Sequence, residues 1–342
     1  MKTARLFILP AILALVSCGG GTPSAQGGKD PSASAKDNVT DQQSLHAFPS
    51  MTIPMVYADD QDASREYALA HYWDNFFSQG GPTTPNAILG VSDGEVEQAL
   101  ANYIGALAAV KTFATPDAPE PLHQAQKSMR TFFSKLERHQ LSDTTSLAYL
   151  RLTEMVSRYL YDPNSPLRDE DLYLPFVEGM ARSSCTSEDM RAAYRFEAGQ
   201  CRINQFGQKA PDFRYSTAGG TKGTLYGVKA EYTMLFFSNP GCTACKEIIG
   251  EIRSRTYIED YIRNGRLAIV NIYIDEEVAK WREYLPNYPS SWINGYDYTF
   301  QLRESGKYAI RAVPSLYLLD SSKRIIMKDA ATESVLSYLD QI

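Results

Sequence analysis

The chain has 342 residues, with 34 Lys and Arg against 40 Asp and Glu, for a formal net charge of -6 at pH 7. That length holds two domains and a sizeable core. No basic stretch is present to neutralise phosphates, which excludes nucleic acid as the main partner, and acidic substrates are not favoured either. The composition is otherwise that of a soluble globular body, unusual only in its 22 Tyr.

Residues 1–17 stand apart. Lys2 and Arg5 give a positive start, and residues 6–16 form an apolar run too short to span a bilayer. The run ends in Leu15-Val16-Ser17-Cys18-Gly19, which resembles the lipobox of bacterial lipoproteins. The resemblance implies removal of 1–17, acylation of Cys18, and a soluble protein held on a membrane by that lipid alone. Gly19 differs from the Asp that retains lipoproteins in the inner membrane, so the expected address is the outer membrane, facing the periplasm. There disulfides can form, and four thiols remain after lipidation: Cys185, Cys201, Cys242 and Cys245. Residues 18–48, rich in Gly, Ser, Pro and Ala, read as a flexible tether.

Residues 49–205 carry helical periodicity. Leu69, Trp73 and Phe76 share a face. Val96, Leu100, Tyr103, Leu107 and Val110 form a second stripe, opened by Ser92-Asp93 as a cap. Leu122, Ala125, Met129, Phe132 and Leu136 form a third; Ala148, Leu152, Met155 and Tyr159 form a fourth that stops at Asp162-Pro163. Shorter helices are expected over 168–181 and 186–198. Six such segments with short loops predict an all-α domain, an antiparallel bundle or an array of helical hairpins. His71, His123 and His139 fall on different segments without ligand spacing, so no metal site is expected. The stretch Arg65-Glu66-Tyr67 to His71-Tyr72-Trp73-Asp74 resembles an uncharacterised helical domain that precedes thioredoxin-like domains in bacterial lipoproteins. That resemblance covers about residues 50–200 and implies no activity. A helix between Cys185 and Cys201 holds them ~20 Å apart at 1.5 Å per residue, beyond the roughly 7 Å between Cα atoms that a disulfide spans. Free, largely buried thiols are expected, and an approach of one of them to the other cysteine pair stays open.

From residue 206 the pattern changes. Alternation around Ala218-Gly219-Gly220-Thr221 predicts a β-hairpin. A strand follows over 231–237, a helix over 242–263, a strand over 267–275 and a helix over 276–284. After a Pro-rich connector, a helix over 298–307, a strand over 315–320, a hairpin partner over 323–328 and a helix over 331–341 complete the chain. At the first strand–helix junction stands Ser238-Asn239-Pro240-Gly241-Cys242-Thr243-Ala244-Cys245. The i, i+3 spacing puts both thiols on one face of a helical turn, close enough to form a disulfide. The orphan N–H groups and dipole of the helix start stabilise a thiolate.

Residues 206–342 thus resemble the TlpA-like and peroxiredoxin-like branch of the thioredoxin superfamily. The motifs that carry the likeness are Ala210-Pro211-Asp212-Phe213, Pro240-Gly241-Cys242-x-x-Cys245, Val313-Pro314 and the strand after it. The resemblance implies an α/β fold with a central mixed sheet flanked by helices. It also implies Cys242 as nucleophile, Cys245 as resolving thiol and a cis Val313–Pro314 bond shaping the substrate groove. Pro240, Gly241, Thr243, Ala244 and Val313 would border the substrate. No cofactor beyond a redox-active Cys242–Cys245 disulfide is implied. The partners would be thiols or disulfides of exported proteins and an electron-transfer partner that resets the pair.

The chain departs from its relatives at two positions. Phe236 stands where thioredoxin carries a buried acid, and Ile248 where TlpA-like proteins often carry Glu. Thr243-Ala244 has neither the Pro of reductases nor the His of strong oxidants, so the direction of electron flow stays open. Rival chemistries for the cysteine pair fall away: Pro240 is misplaced for a peroxiredoxin, Lys246 replaces the His of a c-type haem site, and residues 206–342 contain no His and no further Cys to complete a zinc site. The lack of His also weakens a copper-carrying role, and a purely structural disulfide stays open. Two readings survive. One is a lipid-anchored thiol–disulfide oxidoreductase of the cell envelope. The other is a non-catalytic binding lipoprotein whose helical domain holds a partner, with the thioredoxin-like domain as scaffold.

Overall fold

The computed structural model describes residues 45–342. Cys18, the leader over 1–17 and most of the tether lie outside them. Among the described residues no helix is long and apolar enough to cross a membrane.

Seven helices build the first half: α1 (Gln61–His71), α2 (Asp74–Gln79), α3 (Asp93–Lys111), α4 (Glu120–Ser142), α5 (Ala148–Leu160), α6 (Glu170–Arg182) and α7 (Glu188–Cys201). Caps set their starts. The Asp60 carboxylate accepts the Asp62 and Ala63 amides at the head of α1, Ser92 caps α3, Asp169 caps α6 and Ser187 caps α7, each satisfying donors that have no intrahelical partner. The four apolar stripes face one core, centred on Trp73, which stacks on Phe132 with ring centroids 4.3 Å apart. Gly179 on α6 meets α4 closely: a Cβ there would stand 2.4 Å from the Phe133 ring.

Three details differ from the sequence reading. The first apolar stripe is divided between α1 and α2, giving seven helices where six segments were expected. A small hairpin, β1 (Ala87–Ile88) and β2 (Val91–Ser92), precedes α3. Its turn uses Leu89 at φ 52 and Gly90 at φ 77, and a left-handed leucine gives no turn signal. The end of the stretch read as tether is also engaged. His46 donates its amide to Gly90, and the half-buried Phe48 packs against Tyr72, Trp73 and Phe76; one aromatic in a Gly/Ser-rich run is too little to reveal this.

The second half is the mixed sheet with flanking helices. Its strands are β3 (Arg214–Thr217), β4 (Lys222–Thr224), β5 (Tyr232–Phe237), β6 (Leu267–Tyr273), β7 (Ile293–Tyr296), β8 (Ser315–Leu319) and β9 (Ile325–Met327), in the order β4-β3-β7-β6-β5-β8-β9. β5 runs parallel to β6 and antiparallel to β8. Alternation sorts its side chains: Met234 and Phe236 enter the core on one face, Leu235 and Phe237 the core on the other. The helices are α8 (Thr243–Ser254), α9 (Tyr257–Arg263), α10 (Val278–Tyr284), α11 (Gln301–Glu304) and α12 (Thr332–Leu339). The single helix expected over 242–263 is therefore two, broken where Arg255 turns extended (φ -85, ψ 102). The helix expected over 298–307 shrinks to four residues behind Phe300 at φ 56. β7 was not expected at all; four residues containing Asn294 and Gly295 carry little strand signal.

Candidate redox site

The site grows from the end of β5. The buried strand delivers Phe237, and Ser238 then leaves the sheet. Its hydroxyl donates to Asn271 on β6 at 2.5 Å and lies 3.2 Å from the Tyr288 hydroxyl, while Asn271 donates to Asn294 on β7 at 2.9 Å. Asn239 donates to Asp275 at 2.8 Å. Gly241 sits at φ 77, with no atom within 4 Å of where a Cβ would stand; glycine is needed there for backbone conformation rather than for space. These bonds aim the chain so that Cys242 becomes the N-cap of α8 and Cys245 falls in its first turn.

Cys242 and Cys245 are joined as a disulfide, with Cα atoms 5.2 Å apart. The Cys245 amide donates to the Cys242 sulfur at 3.1 Å. Cys242 is half-buried and flanked by exposed Gly241, Thr243 and Ala244, whereas Cys245 is 2 % exposed. The outer sulfur can be reached by another molecule and the inner one cannot. Around Cys245 the neighbours are hydrocarbon: Phe236, edge-on to Trp292, and Ile248 belong to the same apolar cluster.

Val313 and Pro314 are joined by a cis peptide bond, and Val313 packs against the cluster that holds both cysteines. Among the described residues no hydrogen bond uses the Val313 N–H or C=O, and Pro314 has no N–H to offer. Pro240 and Val313 are half-buried. The residues singled out from the sequence between 240 and 245 thus sit on one loop–helix junction. Cys185 and Cys201 are free, Cys201 deeply buried on α7.

Sequence reasoning missed the Ser238–Asn271–Asn294 chain and the surroundings of Arg311. The Arg311 guanidinium, only 12 % exposed, makes ion pairs with Glu170 at 2.7 Å and with Asp329 at 2.8 Å, donates to the Tyr161 carbonyl and lies over the Tyr161 ring at 4.1 Å. Burial works against the Arg311 charge, but the Glu170 and Asp329 carboxylates overrule it and its pKa moves up. Lys328 pairs with the other Glu170 oxygen at 2.6 Å. Neither Glu170 oxygen receives an aligned hydrogen bond; charge holds it. Nothing local marks these residues, because Glu170 and Tyr161 lie more than a hundred positions from Arg311 and Lys328 in sequence.

A family described as a domain of unknown function, DUF5106, matches residues 24–204, beginning inside the stretch read as tether. A thioredoxin-like protein from Bacteroides caccae is 33 % identical with a TM-score of 0.69, covering 87 % of this chain and 99 % of that one. The C-terminal domain of an uncharacterised protein from Bacteroides fragilis is 40 % identical over 40 % of this chain and 99 % of its own, at a TM-score of 0.39. A domain of a possible thiol-disulfide isomerase from Cytophaga hutchinsonii is 26 % identical over 40 % of this chain and 92 % of its own, at 0.32. No protein of curated function matches.

Proposed function

The chain belongs to the DUF5106 family, and from that premise we propose that the family's helical domain is here joined to a thiol–disulfide oxidoreductase acting through Cys242 and Cys245. The observation that carries this is the Cys242–Cys245 disulfide at the head of α8, its outer sulfur accepting a helix amide and its inner sulfur sealed in the core. In the reduced pair the Cys242 thiolate attacks a substrate disulfide and expels one substrate thiolate, leaving a mixed disulfide. The Cys245 thiolate then attacks the Cys242 sulfur, expels the second substrate thiolate and re-forms the internal disulfide, so two electrons pass to the substrate. Run backwards, the same steps oxidise a dithiol. The free backbone of Val313 supplies edge hydrogen bonds to an extended substrate segment. The substrate class is exported protein thiols or disulfides, and a second dithiol or disulfide partner resets the pair.

The location proposed for this chemistry is the cell envelope, with Cys18 lipidated and the soluble body facing the periplasm from the outer membrane. A Cys18→Ala chain that stays membrane-bound would refute that anchor. For the chemistry, wild type should reduce insulin disulfides in the presence of dithiothreitol, and Cys242→Ser should abolish the activity. Cys245→Ser should accumulate mixed disulfides through Cys242 on a non-reducing gel. Inactive wild type together with a clean gel sinks the oxidoreductase.

A further inference from the structure

The residues on either side of the Val313–Pro314 step are tied to a single buried cluster, and half of that cluster comes from the helical domain. Before the step, Arg311 is enclosed by Glu170 at the head of α6 and by the ring and carbonyl of Tyr161 at the end of α5. After it, Ser315 donates its hydroxyl to Asp329 at 2.7 Å. Asp329 also pairs with Arg311, so one carboxylate bridges both flanks of the step. Asp329 is itself held from the helical side. Arg168, in the loop before α6, donates to the Asp329 and Ala330 carbonyls, each at 2.8 Å. Lys328 completes the ring by pairing with Glu170 and donating to the carbonyls of Gln200 and Cys201 at the end of α7.

A cluster that served only to glue two domains together could sit anywhere along their contact. Among the described residues the other ion pair that crosses it, Arg324 to Asp117, is open to water, with Asp117 80 % exposed, and such pairs hold little energy. The buried charges, where breaking one partner is costly, converge instead on Arg311 and Asp329, which hold the two flanks of Val313–Pro314.

We propose that the helical domain positions the substrate ledge of the redox site: Glu170 and Tyr161 fix Arg311, and Asp329 couples Arg311 to Ser315, so that capture of a polypeptide substrate depends on residues of the helical domain. This rests on the oxidoreductase reading above for its kinetic consequence, and on the geometry alone for its conformational one. Glu170, Tyr161, Arg311 and Asp329 are positioning residues, since none of them touches the sulfurs. A polypeptide that pairs with the Val313 backbone needs the ledge. A small dithiol needs only the outer sulfur. The helical domain therefore acts on the first reaction and not on the second.

The test uses the full chain with Glu170→Gln, which keeps the volume and removes the charge, and Tyr161→Leu as a milder variant should the first fail to fold. Asp117→Asn is the control that breaks the exposed pair instead. Three quantities are read: KM and kcat for insulin, the rate at which dithiothreitol reduces the Cys242–Cys245 disulfide, and the rate of tryptic cleavage after Arg311 relative to cleavage after Arg263. The expectation for both ledge variants is a KM raised about tenfold with kcat and the dithiothreitol rate little changed. Cleavage after Arg311 should rise by a similar factor, because it follows the population of the opened segment. Asp117→Asn should match wild type in all three. Unchanged KM, or a dithiothreitol rate that falls in step with it, overturns the proposal. If wild type reduces no insulin, the oxidoreductase reading fails and the cleavage ratio decides alone: a rise in the ledge variants supports positioning, and no rise overturns it.

Discussion

The backbone amide of Cys245 points at the sulfur of Cys242 from 3.1 Å. In the reduced protein the same geometry gives a Cys242 thiolate one aligned N–H and the positive end of α8, while Cys245 is left among Phe236, Ile248 and Ile249. The first environment favours the charged thiolate and the second opposes it. Iodoacetamide at pH 6.5 should therefore label Cys242 about tenfold or more faster than Cys245, the thiolate being the reactive form. Peptide mapping by mass spectrometry reads the ratio. Labelling of Cys245 first would reverse the assignment of nucleophile and resolving thiol.

Gly179 has no room for a side chain, since a methyl would stand 2.4 Å from the Phe133 ring, whereas Gly105, also mid-helix, has no atom within 4 Å of that position. The two should respond to alanine with opposite signs. Gly179→Ala overpacks the α4–α6 contact and should lose about 1–3 kcal/mol. Gly105→Ala gains helix propensity in open space and should gain about 0.5–1 kcal/mol. Urea midpoints measure both, and stabilisation by Gly179→Ala would show that α4 and α6 are not packed this closely.

The same contrast explains what the sequence could reveal. Helices whose apolar stripes run for three turns or more, such as the one carrying Leu122, Met129 and Leu136, are legible because each stripe residue reports the same face. The strand–turn–helix around Cys242 is legible for a different reason: the turn chemistry of Asn239-Pro240-Gly241 and the cysteine spacing are local. What escaped is either brief or distant. β7 has four residues and owes its place to pairing with β3 and β6. The break at Arg255 has no proline or glycine to announce it. Glu170 reads as an ordinary acidic residue in a first helical turn, and only the folded chain brings Arg311 and Lys328 to it.

Lys111 makes a second buried charge cluster, with its ammonium 2.8 Å from both oxygens of Asp169 and from one of Asp171. Burial pulls its pKa down, but the two carboxylates overrule that and the net shift is upward, so the lysine stays charged. Lys111→Met leaves two buried carboxylates facing each other, and removal of one partner from such a cluster costs about 3–5 kcal/mol. Their mutual repulsion favours protonating one of them. A carboxyl whose folded pKa is raised destabilises the fold above that pKa, so the loss should shrink as pH falls from 7 to 5. Urea midpoints at both pH values check this; an equal or larger loss at pH 5 would mean that the carboxylates find another partner.

Cys201 offers a test at the alkaline end. It is 2 % exposed. Burial pushes its thiol up strongly; Glu170 adds to the rise while Lys328 and Arg311 oppose it. In the unfolded chain the thiol ionises near its ordinary value of about 8.5. The folded pKa is thus raised above the unfolded one, so the contribution to stability is complete below about pH 8.5 and is lost as pH rises beyond it. At pH 9.5 the ionised unfolded thiol should account for a loss of about 1.4 kcal/mol relative to pH 7.5. Half-buried phenols such as Tyr72, pushed up to about 12 by desolvation, act in the same direction only at higher pH. Cys201→Ala removes the thiol contribution alone, so its stability should fall less between pH 7.5 and 9.5 than that of wild type. Parallel declines in the two proteins would mean that Cys201 ionises as freely in the fold as outside it, which its place on α7 against the Lys328–Glu170 pair does not allow.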